Sequence, residues 1–315
     1  MTRNNGTPRK PKALGAGSRL GVFAPASPAQ SVEMIAGLAE LKRHGFQVVA
    51  KQDTKAEGYF AGPSLGRVNG FLETLNSNQV DGLVALRGGY GSNYLLEFEL
   101  EKNLGNLKCV MGFSDLTTLQ IFLWQKCRWI TFYGPMVAAG LNAGAGVRKG
   151  YDESSLLQAV GRTEGGWKLR LKGEAVLAGQ SAGRVLGGCM TLLEATIGTP
   201  WELETKDSIL VLEDRAMKPY QVDRVLMHLK QAGKFAGVQG IVLGDFPESE
   251  PAVAGSPSVR EVCARILRPL GVPIVFGAPI GHTVRPMLTI PLGIQARLDA
   301  DGEGTLEFLE SAVVA

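Results

Sequence analysis

Short apolar runs alternate with amphipathic segments through the first half of this chain, and this alternation restricts the fold more than any other feature. Residues 19–25 have the character of a strand, residues 32–43 carry apolar side chains at helical spacing, and residues 46–50 form a second apolar run. The unit recurs, with further apolar runs at residues 82–86, 108–112 and 129–132. Because strands joined by helices form a parallel sheet that is buried on both faces, the pattern predicts an α/β fold. Ligand sites in such folds lie at the carboxyl ends of the strands.

A shift in composition near the middle of the chain predicts a domain boundary. Residues 138–183 are rich in Gly, Ala and Ser and poor in aromatic residues. The length of 315 residues exceeds the roughly 250–300 at which a single core stops growing, and this also favours two domains. We therefore divide the chain into a flexible basic tail at residues 1–18, an N-terminal domain at 19–145, a linker at 146–183 and a C-terminal domain at 184–315.

The charge distribution argues against a nucleic-acid partner. The formal net charge is +3, but residues 1–18 hold four basic side chains and no acidic one, which leaves a net charge of −1 for residues 19–315. Phosphate backbones are bound by clusters of Lys and Arg, and a nearly neutral body offers no such cluster. We interpret the basic tail as a solvated terminus.

The sequence predicts no membrane partner, no metal and no organic cofactor. The uncharged stretch at residues 130–147 contains Pro135 and four glycines, so we expect strand, turn and loop there and not a membrane helix. The basic residues are not followed by the apolar run of about 7–15 residues that a secretory signal requires. The four cysteines are scattered without a CxxC pair, and the phosphate-binding, HExxH and complete GxGxxG patterns are absent. We expect a cytoplasmic protein with free cysteines.

The strongest local signal for chemistry lies where an apolar strand ends at Gly112 and a helical pattern begins almost at once. Ser114 stands at the turn between them, a placement that resembles a nucleophile elbow although the GxSxG pattern is absent. A hydroxyl in that position is exposed at a helix N-terminus, where backbone N–H groups stabilise a developing oxyanion. The alternative is that Ser114 only caps the helix, because serine and aspartate are preferred at that position.

A serine nucleophile requires a base, and the chain has three histidines. His44 lies at the end of an amphipathic helix and His228 lies within one, and both positions are typical of structural residues. His282 lies in a loop framed by glycine and proline, where catalytic residues concentrate, although a polar surface role is its alternative. A carboxylate to orient the imidazole is available at Glu213 or Asp214, which follow a strong apolar run and could also only cap a turn.

A pair of glycines follows the apolar run at residues 82–86. Gly88 and Gly89 lack a Cβ, so an anion can approach their backbone N–H groups closely. The alternative is a plain turn between a strand and a helix.

Taken together, these segments resemble the LD-carboxypeptidase family of serine peptidases, which includes the microcin C7 self-immunity proteins. The resemblance extends from about residue 18 to the end of the chain. It rests on Val22-Phe-Ala-Pro-Ala-Ser27, Ala85-Leu-Arg-Gly-Gly-Tyr-Gly91, Gly112-Phe-Ser-Asp115, Tyr133-Gly-Pro135, Gly187-Gly188, Leu212-Glu-Asp214, Pro219-Tyr220, Asp223-Arg224 and Gly281-His282.

The resemblance implies a catalytic triad and an oxyanion hole. Ser114 would be the nucleophile, His282 the general base and Glu213 the carboxylate that orients the base. The oxyanion hole would consist of the backbone N–H of Asp115 and that of a glycine in the turn at Gly88 and Gly89.

The fold that the resemblance implies is a flavodoxin-like N-terminal domain with a parallel sheet, followed by a smaller β-rich α/β C-terminal domain. Ser114 would come from the first domain and Glu213 and His282 from the second, which places the site in the cleft between them. Members of the family are commonly homodimers and require neither a metal nor an organic cofactor, and we expect the same of this chain.

Some positions bear on substrate contacts. Cys189 stands where members usually have asparagine after a glycine pair, and Ala216-Met217 stands where Gly-Glu is usual, so both changes remove polar groups near the expected cleft. We expect Cys189 and Met217 to lie among the substrate contacts, together with Arg87 and Tyr90 beside the glycine turn. Arg87 is the nearest candidate for binding the terminal carboxylate of a peptide, and a structural ion pair is its alternative.

The function that the resemblance implies is release of the C-terminal D-alanine from a cytoplasmic murein tetrapeptide, a small peptide substrate, by cleavage of an L,D-amide bond in peptidoglycan recycling. One alternative is an immunity-type serine hydrolase that cuts the amide of an acylated aminoacyl nucleotide, and an exposed Trp201 would favour it by stacking on the base. A second alternative, of another class, is a catalytically silent module that binds a peptide or a nucleotide. The joint presence of Ser114, Glu213 and His282 argues against that second alternative.

Overall fold

The computed structural model describes residues 6–52 and 55–315, which form two sheets with helices packed against them. The strands are β1 (Arg19–Phe23), β2 (Gln47–Lys51), β3 (Gly82–Ala85), β4 (Cys109–Gly112), β5 (Thr131–Tyr133), β6 (Trp167–Arg170), β7 (Glu174–Leu177), β8 (Gln180–Cys189), β9 (Ser208–Glu213), β10 (Gly240–Gly244), β11 (Ile274–Ala278), β12 (Ile290–Leu292), β13 (Gln295–Asp299) and β14 (Thr305–Phe308). The α-helices are α1 (Ser31–Arg43), α2 (Ser64–Asn76), α3 (Leu100–Asn103), α4 (Thr117–Cys127), α5 (Glu153–Gly161), α6 (Met190–Ala195), α7 (Pro219–Gln231) and α8 (Val259–Leu267). Shorter 3-10 turns lie at Ser92–Phe98, Ser114–Leu116, Leu141–Ala143 and Arg268–Leu270.

The first sheet has the strand order β12-β5-β4-β3-β1-β2. Strands β1 to β5 are parallel, and β12 pairs antiparallel with β5 at one edge. The order 2-1-3-4-5 of the parallel strands is that of the flavodoxin-like fold, so this expectation is confirmed. Every residue of β3, β4 and β5 is buried, as their continuous apolar runs predict for a sheet covered on both faces.

The second sheet has the strand order β6-β14-β13-β8-β9-β10-β11-β7. Its centre, β8 to β11, is parallel, and antiparallel strands flank this centre on both sides. A β-rich α/β C-terminal domain is therefore confirmed. With eight strands against six, its sheet is not the smaller of the two.

Helix α4 links the two sheets. Residues 117–124 are all buried, and the helix contacts β5 of the first sheet and β8 of the second. Most of these side chains are apolar and they occur on every side of the helix, a pattern typical of a helix that is enclosed in the protein. The turn that precedes α4 is consequently held at the junction of the two halves.

The interpretation of residues 1–18 as a flexible tail is wrong for residues 9–14. The N–H of Arg9 donates to the carbonyl of Arg128 at 2.7 Å, and the N–H of Ala13 donates to that of Val314 at 2.7 Å. Leu14 is buried and donates its N–H to Val160 at 2.8 Å. Backbone hydrogen bonds form regardless of side-chain polarity. The basic composition of residues 9–14 therefore gave no indication that this segment is bonded to the rest of the protein. Residues 1–5 lie outside the described residues.

The interpretation of residues 146–183 as a linker is also wrong. The segment contains α5, β6, β7 and the start of β8, and β6 and β7 form the two edges of the second sheet. In β6 buried and exposed side chains alternate, which is the pattern of a strand with one buried face. The division at residues 145 and 184 is crossed again by β12, which belongs to the first sheet.

The uncharged stretch at residues 130–147 forms β5 and a loop with a 3-10 turn, as expected. In the described part of the chain, no helix is both long enough and apolar enough to cross a bilayer.

Candidate active site

Ser114 occupies the predicted turn between β4 and α4. Phe113 continues the extended backbone with φ −144°, and Ser114 then takes a left-handed conformation with φ +62°. Such strain costs about 1–3 kcal/mol in a non-glycine residue and persists where the surrounding structure enforces it, often at active sites. Within residues 6–52 and 55–315, no backbone N–H at the start of α4 is capped by the Ser114 hydroxyl, so the capping alternative is not supported.

Glu213 and His282 form a hydrogen-bonded pair. Glu213 ends β9 and is fully buried, whereas His282 lies in the loop after β11 with 14% of its side chain exposed. The Nδ1 atom of His282 lies 3.0 Å from Oε2 of Glu213, and the same oxygen accepts the backbone N–H of His282 at 2.9 Å. Because a carboxylate accepts hydrogen bonds, we assign a proton to Nδ1, which leaves Nε2 as the basic nitrogen.

The surroundings of His282 favour its protonated form. Burial acts against the charge of the imidazolium, but the charge of Glu213, its hydrogen bond and the charge of Asp214 outweigh burial. The pKa of His282 is therefore raised above its ordinary value. A carboxylate that stabilises an imidazolium in this way also stabilises the intermediate of a proton transfer from serine.

Tyr133, the last residue of β5, connects the turn at Ser114 to Glu213. Its hydroxyl accepts the N–H of Ser114 at 3.2 Å and donates to Oε1 of Glu213 at 2.5 Å. The side chain is fully buried, so one phenol joins residues from the two sheets. No catalytic role for Tyr133 was predicted from the sequence. The available signal was its place in Tyr133-Gly-Pro135 at the carboxyl end of a strand.

The glycine turn lies directly against Ser114. A Cβ on Gly88 would lie 2.9 Å from the Cβ and 3.0 Å from the Oγ of Ser114. Gly89 has φ +103°, and a Cβ there would lie 2.2 Å from Oγ of Ser27. As far as the structure describes the chain, the N–H groups of Gly88 and Gly89 have no acceptor. Both are thus free to donate to an oxyanion.

The backbone N–H of Asp115 is a candidate oxyanion donor, whereas its side chain has a structural role. Its Oδ2 accepts the N–H of Ser92 at 2.7 Å and the hydroxyl of Ser92 at 2.6 Å. Burial raises the pKa of Asp115, although the hydrogen bonds from Ser92 act in the opposite direction. Because Ser92 follows the glycine turn, the Asp115 carboxylate fixes that turn relative to Ser114.

A cleft of about 640 Å³ lies between the two halves. Its lining includes Ser114, Gly88 and Gly89 on one side and His282 on the other, and we refer to this space as the cleft. The ring of Phe113 packs edge-on against the imidazole of His282, with ring centroids 5.2 Å apart. The candidate nucleophile, base and oxyanion donors therefore meet in a single space large enough for a short peptide.

Of the expected substrate contacts, Arg87 lines the cleft and Tyr90 does not. The guanidinium of Arg87 donates to the carbonyl of Pro28 at 3.1 Å, and no ion pair involves it among the described residues. Tyr90 packs instead in an aromatic cluster with Tyr59, Phe60 and Tyr94. Tyr90 is next to the glycine turn in sequence, but its side chain points away from the cleft, and the sequence did not indicate this direction.

Cys189 and Met217 also lie outside the lining of the cleft. The thiol of Cys189 is buried, with Sγ 3.6 Å from Oδ2 of Asp214. The Thr191 hydroxyl donates to Oδ2 of Asp214 at 2.5 Å, and the Met217 sulfur lies 3.6 Å from the oxygen of that hydroxyl. The structure therefore places both residues around Asp214 and not against a substrate.

Cys189, Glu213 and His282 could in principle hold a metal ion, because their ligand atoms lie within 4.8 Å of one another. Glu213 and His282 are already hydrogen-bonded to each other. Burial, followed by the charges of Glu213 and Asp214, holds the pKa of the Cys189 thiol well above its ordinary value. Since the thiolate is the metal-binding form, the arrangement favours acid–base chemistry over metal binding.

Family models match most of the chain. The LD-carboxypeptidase N-terminal domain matches residues 20–134, and the LD-carboxypeptidase C-terminal domain matches residues 182–298. The chain belongs to the LD-carboxypeptidase family. This LD-carboxypeptidase is accordingly an enzyme of the peptidase class, as the sequence analysis expected.

Relatives agree with this assignment over nearly their whole length. The chain is 31% identical to a probable murein peptide carboxypeptidase of Bacillus subtilis, over 92% of this chain and 91% of the relative. The solved muramoyltetrapeptide carboxypeptidase from Oxalobacter formigenes is 25% identical and has a TM-score of 0.80, over 93% of this chain and 99% of that chain. The wild-type apo structure of the microcin C7 self-immunity protein MccF is 25% identical and has a TM-score of 0.85, over 97% of this chain and 100% of that chain.

Proposed function

We propose that this LD-carboxypeptidase is a serine peptidase that releases the C-terminal D-alanine from murein tetrapeptides, with Ser114 as nucleophile, His282 as base and Glu213 as the orienting carboxylate. The observation that carries the proposal is the 3.0 Å contact between His282 and Glu213 beside a left-handed Ser114 on the same cleft. Two of the relatives, a probable murein peptide carboxypeptidase and a muramoyltetrapeptide carboxypeptidase, support the substrate class.

The proposed reaction proceeds through an acyl-enzyme. Oγ of Ser114 attacks the carbonyl between the diamino acid and D-alanine, while Nε2 of His282 takes the hydroxyl proton. The oxyanion accepts hydrogen bonds from the glycine turn and from the N–H of Asp115, since the N–H of Ser114 itself is bound to Tyr133. His282 then returns the proton to the leaving amine. After D-alanine departs, water activated by the same base hydrolyses the ester.

The direct test is release of D-alanine from L-Ala-γ-D-Glu-meso-diaminopimelate-D-Ala. We expect release from this tetrapeptide and little from the matched peptide that ends in L-alanine. Equal cleavage of both peptides would contradict the stereochemical part of the proposal, and cleavage of neither would contradict the substrate class.

Likeness to the self-immunity protein favours a second candidate, hydrolysis of an aminoacyl-nucleotide amide. A solved structure of that protein, 25% identical to this chain, is a complex with aspartyl sulfamoyl adenosine. In the present protein Trp201 is half-buried against Phe122, with ring centroids 6.1 Å apart, and does not line the cleft. The stacking surface that the sequence analysis associated with this substrate is therefore not at Trp201, which weighs in favour of the murein peptide. The homodimer, the cytoplasmic location and the role in peptidoglycan recycling stay predictions.

Gly88→Ala is expected to lower kcat/KM for the tetrapeptide by about 10²-fold, the loss typical of one impaired oxyanion donor. The added methyl group would lie 3.0 Å from Oγ of Ser114, in the space that the reacting carbonyl needs. The matched control is Gly66→Ala on α2, where a Cβ meets no atom within 4 Å. Steady-state kinetics and thermal unfolding of both variants test this prediction. If Gly88→Ala kept the wild-type kcat/KM, the assignment of the glycine turn to the oxyanion hole would be contradicted.

Tyr133→Phe is expected to lower kcat by about 10-fold through positioning, because a lost buried hydrogen-bond partner costs about 1–3 kcal/mol. The change leaves the N–H of Ser114 and Oε1 of Glu213 without their shared partner, while the contact between Glu213 and His282 is kept. KM and the pH profile should therefore change little. The control is Tyr151→Phe, which removes a hydroxyl that donates to Glu40 outside the cleft. An equal loss of kcat in both variants would indicate general destabilisation.

A further inference from the structure

Three cationic side chains that line the cleft form no ion pair among the described residues, namely Arg87, Arg148 and Lys149. Arg215 also lines the cleft, but it is paired with Glu248 at 2.6 Å. The other acidic residue of the lining, Glu33, accepts the backbone N–H of Gln30 at 3.3 Å. The lining therefore holds four Lys or Arg side chains and two acidic ones. An excess of positive charge in a recess attracts anionic groups, so the cleft is suited to a substrate that carries carboxylates.

Arg148 and Lys149 lie on a loop whose backbone is fixed. Lys149 has a left-handed φ of +60°, which surrounding contacts must enforce in a non-glycine residue. Its N–H donates to the carbonyl of Val284 at 2.9 Å, and the carbonyl of Gly150 accepts the N–H of Met287 at 3.0 Å. The two cations are therefore presented by a backbone that is bonded on both sides to the loop of His282. A fixed backbone reduces the entropy lost when these side chains bind a ligand.

The loop of Arg148 and Lys149 lies on the side of the cleft where the leaving group must be. Val284, to which Lys149 is bonded, follows His282 by two residues. Lys149 and His282 both lie near Glu248. The pKa of Glu248 is lowered mainly by the hydrogen bond from Arg215, and to a smaller extent by the charges of Lys149 and His282. In the proposed reaction His282 protonates the leaving amine. The carboxylate carbon of a single departing residue lies only about 2.5 Å from that amine, given standard backbone bond lengths.

We propose that Arg148 and Lys149 bind the free C-terminal carboxylate of the peptide substrate and thereby restrict cleavage to the last residue. This inference rests on the proposed function. The guanidinium of Arg148 can take a carboxylate in a bidentate manner, and Lys149 adds a point charge. Arg87 is the less suitable candidate, because it lies beside the oxyanion donors and one of its N–H groups is used by the carbonyl of Pro28.

The kinetic test compares the tetrapeptide acid with the same peptide ending in D-alaninamide. For the wild type we expect kcat/KM for the acid to exceed that for the amide by about 10²-fold, the range of a charged hydrogen bond. In the double variant Arg148→Gln/Lys149→Gln this ratio should fall close to 1. Arg170→Gln, an exposed substitution on β6, is the matched control and should keep the wild-type ratio. Arg87→Gln tests the rival assignment.

A binding measurement separates this inference from the proposed function. The catalytically inactive Ser114→Ala protein is titrated calorimetrically with the acid and with the amide, with and without the Arg148→Gln/Lys149→Gln changes. Tighter binding of the acid by about 10-fold or more, lost in the combined variant, supports the subsite even if turnover is absent. Retention of the acid preference in that variant, its loss in Arg87→Gln instead, or no preference at all would overturn the inference. Absence of turnover with a retained subsite would contradict the proposed function alone.

Discussion

Replacement of Ser114 by alanine is expected to lower the rate of D-alanine release by about 10⁴–10⁶-fold, the range found when a triad nucleophile is removed. The change deletes the attacking oxygen and leaves the hydrogen bond between His282 and Glu213 untouched. No other hydroxyl of this cleft stands in a left-handed turn against Gly88 and Gly89 in the described residues. The measurement is D-alanine release together with labelling by a fluorophosphonate probe.

Ser154→Ala is the matched control for this substitution. Ser154 is exposed on α5 and does not line the cleft, so its loss should leave both turnover and labelling at the wild-type level. Substantial turnover by Ser114→Ala would sink the acyl-enzyme mechanism. Loss of labelling with preserved turnover would mean that Ser114 is reactive but is not the nucleophile of this reaction.

Replacement of Glu213 by glutamine is expected to lower kcat by about 10⁴-fold, as for a triad whose imidazole takes the wrong tautomer. One oxygen of Glu213 accepts from Tyr133 and the other accepts both donors of His282. Glutamine has a single acceptor oxygen, so its amide group must face either Tyr133 or His282 as a donor. Facing His282, it would hold Nδ1 as an acceptor and place the proton on Nε2, which then cannot take the serine proton.

The pH profile of the same variant gives an independent reading. Burial lowers the pKa of His282, but the charge and hydrogen bond of Glu213, together with the charge of Asp214, outweigh burial, so the wild-type pKa is above its ordinary value. Because the neutral imidazole is the base, kcat/KM should fall as the pH drops through this raised pKa. Without the Glu213 charge the acid limb should move to lower pH. Asp214→Asn is the comparison, and a larger loss of kcat there than in Glu213→Gln would reverse the assignment of the orienting acid.

Burial on both faces explains why the first sheet could be predicted from the sequence. The runs at residues 82–86 and 108–112 contain β3 and β4, because strands covered on both sides are continuously apolar. Strand β6 escaped the same reasoning, since only Trp167 and Leu169 of its four residues are buried. Such short alternation is hidden within a segment whose composition is typical of loops.

The candidate site was predictable where it depends on local backbone and not where it depends on packing. Ser114 and His282 stand in a turn and a loop that sequence patterns mark directly. The role of Tyr133 depends on the contact between its hydroxyl, at the end of β5, and Glu213, at the end of β9 in the other sheet. Local sequence patterns cannot predict a contact between strands of different sheets. The same limit applies to Cys189, whose neighbour Asp214 is 25 positions away in sequence.

The position of strand β12 limits which segments of this enzyme can be exchanged with those of its relatives in a chimera. It lies far along the chain, at residues 290–292, yet it covers the β5 edge of the first sheet. A gene fragment that ended at residue 145 would encode a protein with an uncovered apolar β5, and such edges pair with other copies and aggregate. Chimeras that exchange only the segment matched by the N-terminal family model, residues 20–134, would replace β5 without its hydrogen-bonded neighbour β12. A crossover that carries residues 287–294 together with the first half would keep that pairing intact.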